Sequence, residues 1–170
     1  MKHLAVLRHA KSSWGHPNLD DFDRPLNERG WKAARRMGRE LKNRRMRFDF
    51  GLASPAARVR ETLDGVADGY GEFPFAVRFE PQIYLATVTT LLELVRGIDD
   101  ETRAALIVGH NPGLHELVLE LTSGSDLRAR VEAKFPTAAL AVIALPADHW
   151  SDVGESSGEL TELILPKELD

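Results

Sequence analysis

The chain has 170 residues, 28% of them charged and 43% hydrophobic, with a formal net charge of −4 and no cysteine. A chain of this length can bury about 70% of its unfolded surface without staples, so a single domain over residues 1–170 is expected, and the acidic balance argues against nucleic acid as a partner. Absent cysteines fit a reducing compartment, the longest apolar run (Ala138 to Leu145) is less than half a membrane span, and no signal-peptide pattern precedes the first apolar run; a cytoplasmic protein with no membrane partner is expected.

The first element is the apolar run Leu4-Ala5-Val6-Leu7-Arg8-His9. Without polar alternation, such a run suits a strand buried on both faces of a helix-covered sheet. A polar loop through Trp14, Pro17 and Pro25 follows. Asn27 is a suitable N-cap for a helix to about Arg44, with Trp31, Ala34, Gly38 and Leu41 as its apolar stripe. Phe48 to Ala53 reads as a second strand. Ser54 then reads as the cap, and Pro55 as the first residue, of a helix that frays by Gly69-Tyr70-Gly71. Phe75 to Phe79 is a third strand, and Val88, Leu91, Leu92 and Val95 mark one face of a helix ending near Gly97.

Ala105-Leu106-Ile107-Val108-Gly109-His110 repeats the design of the first strand. Pro112 opens a helix whose buried face is Leu114, Leu117, Val118 and Leu121, and a short polar helix follows from Asp126. Ala138 to Leu145 is a buried strand and Glu159 to Leu165 an edge strand. This order predicts an α/β fold: three αβα layers, a mostly parallel central sheet, and an antiparallel strand at one edge.

In such sheets the ligand crevice lies beyond the carboxyl ends of the strands, and here two strands end in histidine. One histidine at a strand end is usually a core or capping residue. Two, one of them preceded by Arg8, point to an anion, because a guanidinium matches phosphate oxygens in pairs. The helix opening at Pro112 adds backbone N–H groups and a positive dipole end. An imidazole among cations has a lowered pKa and a free lone pair, which makes it a competent nucleophile towards phosphorus. A second histidine can stabilise charge in the transition state. A metal site is the other reading of paired histidines; the chain has no H-x-H or H-E-x-x-H pattern and no acid beside His9 or His110, so no metal is expected. Arg58 lies in the first turns of the second helix and can reach back to the strand ends, whereas Arg60 points about 200° away.

Leu7-Arg8-His9-Ala10-Lys11-Ser12, Asp23-Arg24-Pro25-Leu26-Asn27-Glu28-Arg29-Gly30, Ser54-Pro55-Ala56-Ala57-Arg58-Val59-Arg60-Glu61-Thr62 and Val108-Gly109-His110-Asn111-Pro112-Gly113 occur in this order. Together they resemble the histidine phosphatase superfamily, in particular its compact SixA-type phosphohistidine phosphatases. The likeness extends to about Leu121, and Thr137 to Leu145 resembles the closing strand. It implies a phosphoglycerate mutase-like fold and a metal-independent phosphatase with no organic cofactor. It also implies that His9 is the nucleophile, transiently phosphorylated; that Arg8 and Arg58 clamp the phosphoryl oxygens; that His110 completes the pocket; and that Arg24 is a further phosphate contact. Lys11 and Ser12 are further candidate donors. Ala10 stands where many members carry glycine.

Many phosphomonoesterases of the superfamily carry an acid after the third strand or just after the second histidine. Here the corresponding segments offer Glu80, as a candidate acid or a solvated strand-end residue, and Asn111. An alkoxide leaving group needs a proton, whereas a protonated phosphoimidazole departs as neutral imidazole. The weak candidate acid and the lack of a long capping insertion therefore favour phosphohistidine on a protein, such as a phosphorelay domain. A phosphatase or phosphomutase for a small phosphomonoester, and a phosphate-binding regulatory module without catalysis, stay open. From Arg24 to Arg47 ten basic residues face two acidic ones, either a solvated helix face or a patch that steers an acidic partner.

Overall fold

The computed structural model describes residues 1–73 and 75–169. Its elements are β1 (Lys2–Arg8), α1 (Glu28–Asn43), β2 (Phe50–Ala53), α2 (Ala57–Tyr70), β3 (Ala76–Phe79), α3 (Val88–Arg96), β4 (Ala104–Gly109), α4 (Gly113–Leu121), α5 (Asp126–Ala133), β5 (Leu140–Leu145) and β6 (Glu159–Ile164). The strands form one sheet in the order β3-β2-β4-β1-β5-β6. The pairs β3–β2, β2–β4 and β4–β1 are parallel. β5 runs antiparallel to β1, and β6 antiparallel to β5. The expected reversal is present, with β5 as the strand that turns back and β6 at the edge.

Successive side chains of a strand point to opposite faces, and β1 feeds a separate core on each. Leu4 and Val6 join Leu52, Ile107 and the inner faces of α3, α4 and α5. Ala5 and Leu7 join Leu106, Val108 and the inner faces of α1 and α2. The central strands are therefore dry on both sides, which is why they read as unbroken apolar runs.

Asn27 caps α1 as expected, its Oδ1 accepting from the Gly30 N–H at 2.8 Å. The stripe of α1 is buried at Ala34, Gly38 and Leu41 and includes Met37 as well, while Trp31 is only half-buried. The start of α2 differs from expectation. The Ser54 N–H still donates to the Val108 carbonyl at 3.0 Å, as a continuation of the sheet. The cap position falls instead on Ala56, which offers no side-chain bond; Ser54 Oγ accepts from the Ala56 N–H at 3.2 Å within the turn, and the helix begins at Ala57.

Helices α1 and α2 touch backbone to backbone. A Cβ at Gly38 would lie 2.1 Å from the Val66 carbonyl oxygen, and one at Gly69 2.0 Å from that of Arg35. In a free helix, replacing glycine by alanine stabilises by about 1 kcal/mol. Here the overlap is with backbone, which cannot rotate away, and overpacking of this kind costs about 1–3 kcal/mol. Gly69→Ala is expected to lower the urea unfolding midpoint; a raised midpoint would show that the helices can separate freely.

Candidate active site

The register of β1 on β4 sets Arg8 opposite Gly109. The His9 N–H then donates to the Gly109 carbonyl at 3.0 Å. The two strands thus end at one level, and the next residue of each is a histidine. The rings of His9 and His110 lie with centroids 5.3 Å apart and planes tilted by 54°. Both residues are buried.

Helix α2 brings Arg58 to the same place. The Thr62 hydroxyl donates to the Arg58 carbonyl at 2.6 Å and accepts from the Ala10 N–H at 2.9 Å. This fastens the first turn of α2 to the residue after His9. The long loop after β1 supplies Arg24, which donates to Ser12 Oγ at 2.6 Å and stacks its guanidinium 3.7 Å from the centre of the Trp14 ring. Arg8, His9, Arg24, Arg58, His110 and Asn111 line one cavity of about 310 Å³, together with Lys11 and Ser12. All four principal residues expected from sequence, and Arg24, meet there. Arg60 points elsewhere, its guanidinium over the exposed Phe79 ring.

The protonation states follow from the hydrogen bonds. His9 Nδ1 lies 2.7 Å from the Ala10 carbonyl. A carbonyl only accepts, so Nδ1 carries the hydrogen and Nε2 keeps its lone pair. Burial, aided by Arg58, Arg8 and Arg24, lowers the His9 pKa to about 4 even though the Ala10 bond opposes this. Burial, with Arg58 and His9 beside it, lowers that of His110 to about 3. Both rings are neutral at pH 7. His110 Nε2 lies 2.8 Å from Ser54 Oγ, and its Nδ1 is buried without a partner. Among the described residues the Nε groups of Arg8 and Arg58 are also buried and unpartnered. Arg8, Arg58 and His110 all line the cavity, so an oxyanion there would lie among two guanidiniums and an imidazole.

One carboxylate holds Arg24 and Arg58. Asp21 Oδ2 accepts from Tyr84 Oη at 2.5 Å and from Arg58 at 3.0 Å, while Oδ1 lies 3.2 Å from Arg24 Nε. The Tyr84 hydroxyl above all, with the two guanidiniums, lowers the Asp21 pKa to about 2. Asp21 is therefore ionised and has no proton to give. Glu80 does not reach the site. Its side chain lies 3.7 Å from Arg78 and does not line the cavity. No carboxyl group lines the cavity among the described residues, and nowhere among them do three or more metal-ligating side chains come together. Asp21, Tyr84 and Ser54 escape sequence reasoning because they follow no periodic pattern. The one available signal is the run Asp20-Asp21-Phe22-Asp23 immediately before Arg24.

Residues 4–83 match the family model of the histidine phosphatase superfamily, branch 1. An uncharacterised protein of Mycobacterium leprae is 33% identical over 167 residues, covering 95% of this chain and 100% of its own. A crystal structure of a protein described as a phosphohistidine phosphatase SixA, from Agrobacterium tumefaciens, superposes with a TM-score of 0.82 at 31% identity, over 97% of this chain and 98% of that one. A SixA-described protein of Nakamurella multipartitia gives 0.85 at 25% identity, over 97% and 96%.

The chain belongs to the histidine phosphatase superfamily.

Members of this superfamily are phosphatases that use a histidine nucleophile, and the fold is phosphoglycerate mutase-like. The cavity found here contains two neutral imidazoles among guanidiniums, a suitable setting for a phosphoryl group.

An NMR titration is expected to place the His9 and His110 midpoints near 4 and 3, well below the ordinary value of about 6.5. Arg58→Met should raise both only part of the way, since burial is the larger cause. The stability consequence has a definite sign. Above pH of about 6.5 both folded and unfolded histidines are neutral; as pH falls below that value the unfolded state takes up protons first, and stability declines. Midpoints at the ordinary value would contradict the buried, cation-flanked geometry.

Proposed function

We propose that this chain is a single-domain, metal-independent phosphohistidine phosphatase, acting on a phosphorylated protein through a phospho-His9 intermediate. In the first displacement the Nε2 lone pair of His9 attacks phosphorus in line, and the P–N bond of the substrate breaks. The substrate imidazole, already protonated on its other nitrogen, leaves neutral. His9 becomes an Nε2-phosphorylated imidazolium that keeps its Nδ1 hydrogen on the Ala10 carbonyl. Water then attacks phosphorus, dihydrogen phosphate departs, and neutral His9 is restored. Arg8, Arg58 and His110 hold the phosphoryl oxygens in both steps, with Arg24 as a further contact.

The observation that carries this reading is that no carboxyl group lines the cavity among the described residues. Asp21, the carboxylate bonded to Arg24 and Arg58, is held ionised by Tyr84 and those two arginines. A phosphoramidate needs no acid at the leaving group, whereas an alkyl ester does. The SixA-described relatives support the same substrate class.

The test is a rapid alkaline quench after mixing the protein with a phosphohistidine-bearing protein labelled on phosphorus. Label is expected on His9. His9→Ala should abolish both label and turnover while leaving the melting temperature intact, and Arg58→Ala should lower kcat by about 10²–10³-fold. Turnover of sugar phosphates with none of phosphohistidine would transfer the reading to a small-phosphomonoester phosphatase. Binding of phosphate without label or turnover would make the chain a regulatory module.

A further inference from the structure

The basic segment noted in the sequence divides in the structure. Arg24 belongs to the catalytic cavity. Arg35 pairs with Asp68, and Arg44 with Glu40 and Glu162. Arg29, Lys32 and Arg36 are spaced three and four apart on α1, hence on one face. They line a second cavity of about 420 Å³ with Lys11, Lys134 and Lys167. Lys11 and Thr137 line both cavities, so the two adjoin.

Six cations thus line this groove and, among the described residues, no carboxylate does. None of the six forms a salt bridge among those residues. The Arg36 Nε is buried without a partner. Lys167 lies close enough to Lys134 to lower its pKa. Like charges gathered without counter-charge oppose the folded state, and an anionic ligand relieves that repulsion.

The rim of the catalytic cavity is also apolar in part. Trp14 is 80% exposed and Leu85 57% exposed, and both line that cavity. Leu85 has a φ of 52°, a left-handed conformation that is an outlier for a bulky residue and that clusters at functional sites. A small polyanion in the groove would leave Trp14 and Leu85 uncovered. A protein surface can cover both, with its apolar part on Trp14 and its carboxylates in the groove.

We infer that the groove lined by Lys11, Arg29, Lys32, Arg36, Lys134 and Lys167 docks an acidic stretch of the protein substrate, beside the phosphohistidine that enters the catalytic cavity. This rests on the phosphohistidine reading above. Apart from the half-buried Arg36, the contacts are long, exposed side chains rather than a buried cradle, so they act on association and on the choice of substrate, not on the chemical step.

The test compares two synthetic phosphohistidine peptides, one flanked by glutamates and one by lysines, with p-nitrophenyl phosphate as a substrate too small to reach the groove. The variant combines Lys32→Glu, Lys134→Glu and Lys167→Glu; single Lys134→Glu and Lys167→Glu variants are measured beside it, and melting temperatures verify folding. Wild type is expected to favour the glutamate-flanked peptide by about tenfold or more in kcat/KM, a preference that shrinks as salt rises. The triple variant should lose that preference and gain on the lysine-flanked peptide, while p-nitrophenyl phosphate turnover stays within about twofold. Equal turnover of the two peptides by wild type at low salt overturns the docking proposal and leaves the substrate reading standing. Fluorescence anisotropy with an unphosphorylated glutamate-rich peptide separates the opposite case: lysine-dependent binding without phosphohistidine turnover supports the groove and removes the substrate reading. Turnover of a linear polyphosphate that depends on the three lysines, with no distinction between the peptides, overturns a protein partner in favour of a small polyanion.

Discussion

The parallel pairing of β1 with β4, in the register that sets Arg8 opposite Gly109, brings two histidines from distant parts of the chain together at the carboxyl ends of the two central strands. Both strands are covered on each face by packed side chains. Their ends therefore cannot slip by one residue without turning every core residue to the wrong face. That rigidity fixes the 5.3 Å ring separation, and the same burial removes the water that would otherwise favour imidazolium. Packing and protonation state thus have one origin. The apolar runs that form the core also keep His9 neutral and its Nε2 lone pair free.

The cations around the rings are held by a few fixed partners. Thr62 ties α2 to Ala10, and Asp21 gathers Arg24, Arg58 and Tyr84. A second close approach secures the loop. A Cβ at Gly30 would stand 2.1 Å from the Lys11 carbonyl oxygen, so the start of α1 presses directly on the segment after His9. The arginines are thereby placed before any anion arrives, and preorganised donors stabilise developing charge without reorganising. Beyond this shell lies the open groove, where lysines and arginines lack such partners. Buried, anchored cations suit a reacting group; exposed, unanchored ones suit a partner that must be attracted and released.

Much of this was legible before the fold was known. Unbroken apolar runs, Asn27 as a cap, the glycine-rich end of α2 and the stripe of α4 are local signals, and each element appears within a few residues of its expected place. His9, Arg8, Arg58 and His110 were legible because each stands at a punctuated boundary, where a strand ends or a helix begins. One expectation is displaced by a contact that the sequence does not record. Ser54 and Pro55 carry the local signature of a cap and a first helical residue, but Ser54 stays in the ladder through its N–H to Val108 and the helix starts later, at Ala57. Glu80, open in the sequence as an acid or a solvated strand-end residue, pairs with Arg78 and does not line the cavity.

The sequence by itself determined the elements, the order α/β, and the residue types that converge on an anion, because periodicity, capping and strand ends are properties of neighbouring residues. Only the tertiary structure decided which strands are neighbours, that Asp21, bonded to Tyr84, holds Arg24 and Arg58, that this carboxylate is ionised, and that Lys134 and Lys167 join α1 in one basic groove. Those facts depend on contacts between residues tens of positions apart. Such contacts are settled by how the layers pack, and no local pattern in the chain records them.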